Sequence, residues 1–376
     1  MKKLIAVIYV MFFFCSLSSA QDTLYIYKSG EVVNKRAVAD IDSIIFYDST
    51  QPGGQVSSIR NYFGAGNFSD IITYEIDGPN KRFSYSNETT GSHNSGSYTL
   101  SSNPNLTGVY EISENGNVYP AIETPGKFFA TTYASGNAAN RLLFGITSKL
   151  NLLTEYSIND LTGKYLWVNY DNLDEFAWGG IEVFANGEFT WQVGPEDDAD
   201  FNENVHFSGA GSGTWTISQT DPSRIIFRML GNDYSGTIYP GKALILDNGN
   251  GYGFTLGVKY PAEAVSQVSI SGKYNWIDYT PEGYRGVGSF VLPTTGTTAS
   301  FYSLYYNNPY FSSGTQTMSN YRRSLTVKNS FIGEFLSEGE LFYASFIALP
   351  GDMLIMVTFS EDSGIVSLAL ALKANE

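Results

Sequence analysis

The sequence predicts an all-β protein: three tandem antiparallel meander or barrel repeats behind an N-terminal β-hairpin. Three observations carry that expectation. First, Gly163-Lys164-Tyr165-Leu166-Trp167-Val168-Asn169-Tyr170 returns at an offset of 109 as Gly272-Lys273-Tyr274-Asn275-Trp276-Ile277-Asp278-Tyr279, which implies a duplicated domain. Second, glycine (38), tyrosine (27) and phenylalanine (25) are abundant and few segments have helical character, a composition that favours strands and tight turns. Third, Ala185-Asn186-Gly187 and Asp247-Asn248-Gly249-Asn250-Gly251 separate short strand-forming runs, and asparagine and glycine tolerate the positive φ that hairpin turns need.

Taken in order, residues 1–20 read as a secretory signal peptide. Lys2-Lys3 precedes the apolar run Leu4 to Phe14, and Ser18-Ser19-Ala20 supplies small residues for cleavage before Gln21. That run is too short for a stable membrane anchor. Cys15, the only cysteine, follows three phenylalanines where a lipoprotein signal needs a small residue, and cleavage after Ala20 removes it. Stability is then expected to come from core packing without disulfides. The reading is a protein that is secreted, periplasmic or on the cell surface of a Gram-negative bacterium, with no later membrane span.

Residues 21–50 form a small unit. Thr23 to Tyr27, a turn at Ser29-Gly30 and Val32-Val33 predict a hairpin, with a third strand over Ser43 to Tyr47. Leu24-Tyr25-Ile26-Tyr27-Lys28-Ser29-Gly30 and Ile41 to Phe46 resemble a leader segment of many secreted Bacteroidota-type proteins, which implies export and no particular activity. Residues 51–58, rich in Gly, Ser and Gln, are a linker.

Repeat 1 (59–150) is the most diverged, repeat 2 spans 151–262 and repeat 3 spans 263–376. Leu150 to Tyr156 suits one short helical turn. Gly96-Ser97-Tyr98-Thr99, Gly213-Thr214-Trp215-Thr216 and Gly314-Thr315-Gln316-Thr317 fill one slot of the three repeats. Another slot holds Gly126-Lys127-Phe128, Gly241-Lys242-Ala243 and Gly351-Asp352-Met353. About eight strands are expected in repeat 2, enough to close a barrel. Within its first strand, Tyr165, Trp167 and Asn169 share one face.

The opening Gly-x-aromatic strand, the Gly187-Glu188-Phe189 hairpin, Gly213-Thr214-Trp215-Thr216 and the closing meander resemble the lipocalin-like, or calycin, domains. The resemblance spans 160–373 as two copies and 59–149 as a third. It implies eight-stranded barrels in which Tyr165 and Tyr274 stand where that family has tryptophan. Lys259 or Lys373 would be the basic partner on the last strand, where arginine is usual. A series of β-sandwiches is the alternative.

Charge and motifs exclude more than they assign. Net charge is −15 with no basic cluster, which argues against nucleic acid and anionic membrane surfaces as partners. His93 and His206 lack His or Cys partners at metal-ligand spacing, and no nucleophile elbow, zincin or phosphate-loop motif is present. No cofactor is expected. Asp198, Asp200 and Asn202 place oxygens on alternate residues as calcium loops do, but Glu203 and Gly209 stand where an EF-hand needs glycine and glutamate. A solvated acidic loop is the plainer reading. Carboxylates are numerous, yet the repeats share no polar triad, so a carbohydrate-active enzyme or accessory is only an alternative.

The aromatics divide by position. Tyr165, Trp167, Trp215, Tyr274 and Trp276 sit in strands and are expected to be core. Small barrels lined with such bulk are expected to be filled, which moves any ligand to the rim. Trp178, beside Gly179-Gly180, and Tyr305, Tyr306 and Tyr310 are the candidate loop contacts for a glycan or a small apolar ligand. The function read from the sequence is non-catalytic binding or interaction, with a structural or adhesive surface role as the second alternative.

Overall fold

The computed structural model describes residues 23–28, 31–37, 59–66, 71–114, 117–134, 140–147, 156–170, 176–194, 211–218, 224–249, 253–260, 266–279, 285–295, 298–306, 315–327, 332–337, 342–360 and 366–374. The chain divides into two compact units, 1–50 and 51–376. The first contains a hairpin of β1 (Thr23–Lys28) and β2 (Glu31–Ala37). The third strand expected over 43–47 lies outside the described residues.

The second unit consists of three closed antiparallel barrels of eight strands, each pairing sequence neighbours and closing last strand on first. Barrel 1 comprises β3 (Ile59–Gly66), β4 (Ile71–Asp77), β5 (Arg82–Asn87), β6 (Ser92–Leu100), β7 (Tyr110–Glu114), β8 (Asn117–Thr124), β9 (Phe128–Ala134) and β10 (Asn140–Thr147). Barrel 2 comprises β11 (Gly163–Tyr170), β12 (Phe176–Val183), β13 (Glu188–Val193), β14 (Gly211–Ile217), β15 (Ile225–Met229), β16 (Asn232–Tyr239), β17 (Ala243–Asp247) and β18 (Phe254–Lys259). Barrel 3 comprises β19 (Gly272–Tyr279), β20 (Arg285–Leu292), β21 (Thr298–Tyr306), β22 (Thr315–Val327), β23 (Ile332–Ser337), β24 (Phe342–Leu349), β25 (Met353–Ser360) and β26 (Val366–Lys373). These are barrels, not sandwiches.

The duplicated Gly-Lys-Tyr words close the floors of barrels 2 and 3. A four-residue helical turn precedes each: α1 (Ile158–Leu161) and α2 (Gln267–Ile270). The first stands just after the 150–156 stretch where the turn was expected. Tyr165 donates its hydroxyl hydrogen to the Leu161 carbonyl at 2.7 Å, and Tyr274 donates to Ile270 at 2.8 Å. Each buried ring therefore ties its helical turn to the first strand. From the last strand, the Lys259 ammonium lies 5.9 Å from the Tyr165 ring centroid, and Lys373 donates to the Ser271 carbonyl at 2.8 Å. Gly163 (φ +133°) and Gly272 (φ +123°) make room, since a Cβ there would lie 2.7 Å from Lys259 Cε and 2.9 Å from Lys373 Cε.

Barrel 1 is closed differently. Glu123, its side chain fully buried, accepts from Arg60 Nε at 2.5 Å and Arg60 Nη2 at 2.9 Å. Tyr110 donates to the same carboxylate at 2.6 Å, as does Tyr62. Rings fill the rest of this interior: Tyr74 and Phe129 have centroids 4.9 Å apart, as do Tyr98 and Tyr110.

The largest apolar cluster lies outside the barrel lumens as well as within them, because the barrels bury their outer faces against one another. Leu166, Val168 and Tyr170, on the back of β11, share a cluster with Phe63, Phe128 and Phe144 of barrel 1 and with Leu354 and Leu370 of barrel 3. Strands buried on both faces lose their alternation, and β17 (Ala-Leu-Ile-Leu-Asp) is buried at every position. A polar junction accompanies this core. The equivalent turns at Gly126, Gly241 and Gly351 all have φ near +70° to +80° and present the next residue. Asp352, 2% exposed, receives Lys127 Nζ at 2.5 Å and Lys242 Nζ at 2.8 Å. One slot of the repeat thus supplies two lysines and one aspartate that bind three barrels together. The slot after Tyr165 and Tyr274 diverges likewise: Leu166 is apolar, whereas Asn275 donates to the Thr107 carbonyl of barrel 1 at 2.9 Å.

Candidate functional site: a cavity inside the second barrel

The interior of barrel 2 holds a cavity of about 210 Å³. Its walls include Trp167, Phe189, Trp191, Phe227, Met229 and Leu244. Asn169, Asn248 and Thr255 also line it. Asn169 opposes Thr255 across β11 and β18, at the strand ends remote from α1. Thr255 donates its hydroxyl hydrogen to Asn248 Oδ1 at 2.9 Å. The cavity therefore has a floor closed by α1, Tyr165 and Lys259, apolar walls and a polar end, with no charged side chain among the described residues that line it. Burial lowers the pKa of the Lys259 ammonium below its ordinary value, and Asp160 opposes that shift.

This corrects the expectation that bulky inward aromatics fill the barrel. The reason is a glycine opposite each ring. Trp167 pairs across the sheet with Gly179, Trp191 with Gly211 and Phe189 with Gly213. A Cβ at Gly179 would stand 2.7 Å from Trp167 Cζ2, one at Gly211 2.6 Å from Trp191 Cε2, and one at Gly213 2.5 Å from Phe189 Cζ. Each ring thus lies over the neighbouring strand where a side chain would otherwise project. The bulk lines the wall and leaves the axis open. Barrel 3 repeats the device with Trp276 over Gly288, and barrel 1 with Phe83 over Gly96.

The other sequence-derived positions fall as follows. Tyr165 and Tyr274 are fully buried, Trp276 and Trp215 are buried, and Trp167 is half-buried because its ring faces the cavity. Trp215 donates Nε1–H to the Phe184 carbonyl at 2.9 Å. Trp178 is a correction: it lies in strand β12, not in a loop, and is 2% exposed within the inter-barrel core. The ring packs near Gly194, where a Cβ would stand 2.5 Å from Trp178 Cε2, so it cannot serve as a surface contact. Tyr305 and Tyr306 belong to strand β21. Tyr310, Asp198, Asp200 and Asn202 lie outside the described residues. Among the described residues, no group of three or more His, Cys, Asp or Glu is placed to hold a metal ion. No helix among them is long and apolar enough to cross a membrane.

Fold and site together define a tandem β-barrel protein in which one barrel has an apolar-walled cavity in its interior. No family model and no curated protein matches the sequence. Among solved structures, the chain is similar to transferrin-binding protein B of Haemophilus parasuis, at 7% identity over 84% of this chain and 76% of that one, with a TM-score of 0.26. It is also similar to isotype 1 transferrin-binding protein B of Neisseria meningitidis, at 10% identity over 84% and 77%, with a TM-score of 0.27. Superposition this loose transfers no function.

Proposed function

We propose that this is an exported binding protein whose second barrel takes up one small apolar molecule. The observation that carries the reading is the cavity of about 210 Å³ walled by Trp167, Trp191, Phe227 and Leu244. Filling such apolar walls with an apolar molecule restores dispersion contacts that the lining otherwise lacks. The packing of the three barrels against one another supports the same reading, because a preformed pocket loses little entropy when it binds. Export rests on the tripartite N-terminus, and the mature chain should begin at Gln21.

Binding can be followed directly, since Trp167 and Trp191 report on the cavity. Titration with an apolar molecule small enough for the cavity, such as ethylbenzene, should change the tryptophan emission in a saturable, one-site manner. Leu244→Trp, which occupies the cavity from β17, should abolish saturation while the melting temperature is retained. Probe binding unchanged by that substitution would place the ligand elsewhere and end the proposal.

A further inference from the structure

The lining of barrel 2 also specifies what kind of apolar molecule fits, an inference that rests on the binding role just proposed. We infer that the cavity selects a flat, uncharged aromatic compound of about eight or nine heavy atoms with one hydrogen-bonding group on its edge. Three independent features lead there.

Size comes first. A cavity of about 150 Å³ accepts one benzene. By proportion, a cavity of about 210 Å³ accepts about eight or nine heavy atoms, the scale of a small fused bicycle or a short-chain phenol. A fatty-acid chain or a porphyrin is far too large.

Ring orientation comes second. The two indoles that line the cavity rest on glycines of the neighbouring strands. A Cβ at Gly179 would meet Trp167 Cζ2 and Cε2 at 2.7 and 2.9 Å, and one at Gly211 would meet Trp191 Nε1, Cε2 and Cζ2 at 2.5, 2.6 and 2.8 Å. Each indole therefore packs directly against its glycine, in space that a side chain on the neighbouring strand would otherwise take. Both rings line the cavity. Phe189 sits in the same way over Gly213 and contacts Phe227 at 4.8 Å between centroids. Flat π surfaces favour a flat partner over a puckered ring of equal volume.

Polarity comes third. Asn169, Asn248 and Thr255 gather at the end remote from α1, while none of the described residues that line the cavity is charged. An ion entering it would lose its hydration without a counter-charge. One hydroxyl, amide or ring N–H at the molecule's edge would instead find amide and hydroxyl partners there. Aromatic faces alone could also cage a quaternary ammonium ion, so that class is an arm of the test.

The test uses the mature protein and isothermal titration calorimetry with 4-ethylphenol, 4-ethylcyclohexanol and tetramethylammonium. The first two share size and a hydroxyl but differ in flatness and in hydroxyl acidity, so ethylbenzene against ethylcyclohexane serves as the hydroxyl-free control for flatness. The inference expects 4-ethylphenol to bind at least tenfold tighter than 4-ethylcyclohexanol, since two stacked faces multiply affinity about tenfold. It expects that advantage to fall below threefold in Trp191→Leu. Should that variant fail to fold by near-ultraviolet circular dichroism, Asn248→Leu provides a second check. It should weaken 4-ethylphenol severalfold and leave ethylbenzene unchanged. Equal affinities for the flat and puckered alcohols would overturn the aromatic class and leave the binding role standing. Preference for tetramethylammonium would overturn it in favour of a cation cage. If none of these compounds binds and ethylbenzene does not bind either, the binding role itself fails.

Discussion

Removing Arg60 isolates the carboxylate it partners. The Arg60 and Glu123 side chains are 5% and 0% exposed, and the guanidinium supplies two of the four hydrogen bonds that Glu123 accepts. Arg60→Met preserves much of the stem volume but strands a buried negative charge with only Tyr62 and Tyr110 as donors. Breaking one side of such a pair costs about 3–5 kcal/mol. The loss should be local to barrel 1. Tryptophan fluorescence will not see it directly, because all five tryptophans (Trp167, Trp178, Trp191, Trp215 and Trp276) lie in barrels 2 and 3. Hydrogen exchange read by mass spectrometry is the appropriate assay. At about 1.4 kcal/mol per factor of ten, peptides from β3 to β10 should lose about two to three and a half orders of magnitude of protection. In the double variant Arg60→Met/Glu123→Leu the carboxylate is gone, so its loss should be smaller than the sum of the singles by about 2–3 kcal/mol. Additive losses, or a single-variant loss below about 1 kcal/mol, would refute the claim that this buried pair organises the barrel.

Further outcomes follow from the same contacts. Burial, then the Glu123 charge, raises the Tyr62 and Tyr110 pKa values well above 10, and burial raises Tyr85 to about 12. The unfolded chain then deprotonates first as pH rises, so stability is complete below about pH 10 and falls above it. Absorbance of tyrosinate should show these rings ionising only with unfolding, and free titration near pH 10 would contradict their burial. Asp352→Asn should loosen the junction of the three barrels by about 1–3 kcal/mol, the range for hydrogen bonds to charged groups, seen as separation of one melting transition into several. An unchanged single transition would show that the apolar core alone holds the barrels together. Gly288→Ala should cost about 1–3 kcal/mol by overpacking, since its Cβ would stand 2.1 Å from the Tyr302 carbonyl oxygen and 2.4 Å from Trp276. Gly351→Ala meets nothing within 4 Å and should cost only about 1–2 kcal/mol for its φ of +78°; chemical denaturation that reversed this order would argue against the ring-over-glycine pairing.

The barrels were legible in the sequence because a repeat cannot hide its period. The words beginning at Gly163 and Gly272 mark equivalent first strands, and asparagine-glycine turns mark where strands reverse. What stayed hidden depends on neighbours far apart in sequence. Trp167 and Trp276 read as lumen filler until Gly179 and Gly288, at the same offset of 109, are seen to lie opposite them. Trp178 read as a loop residue because two glycines follow it, yet Gly179 is there to accept a ring. Ala243 to Leu246, Met353 to Val357 and Leu368 to Leu372 break the alternation expected of strands with one wet face. That was the available sign that the barrels bury their backs against one another. The Lys127, Lys242 and Asp352 junction had a sign of its own, a change of charge within one repeat slot, but only three dimensions show that the slots meet.

The central claim is that barrel 2 holds apolar space within its wall, and a crystal of the mature protein under xenon pressure tests it most directly. Xenon enters apolar cavities without needing a polar partner. The account predicts a xenon site inside barrel 2, against Trp167, Trp191, Phe227 and Leu244, with both indoles lying over Gly179 and Gly211. Indole rings turned inward across the axis, with no xenon between them, would contradict it.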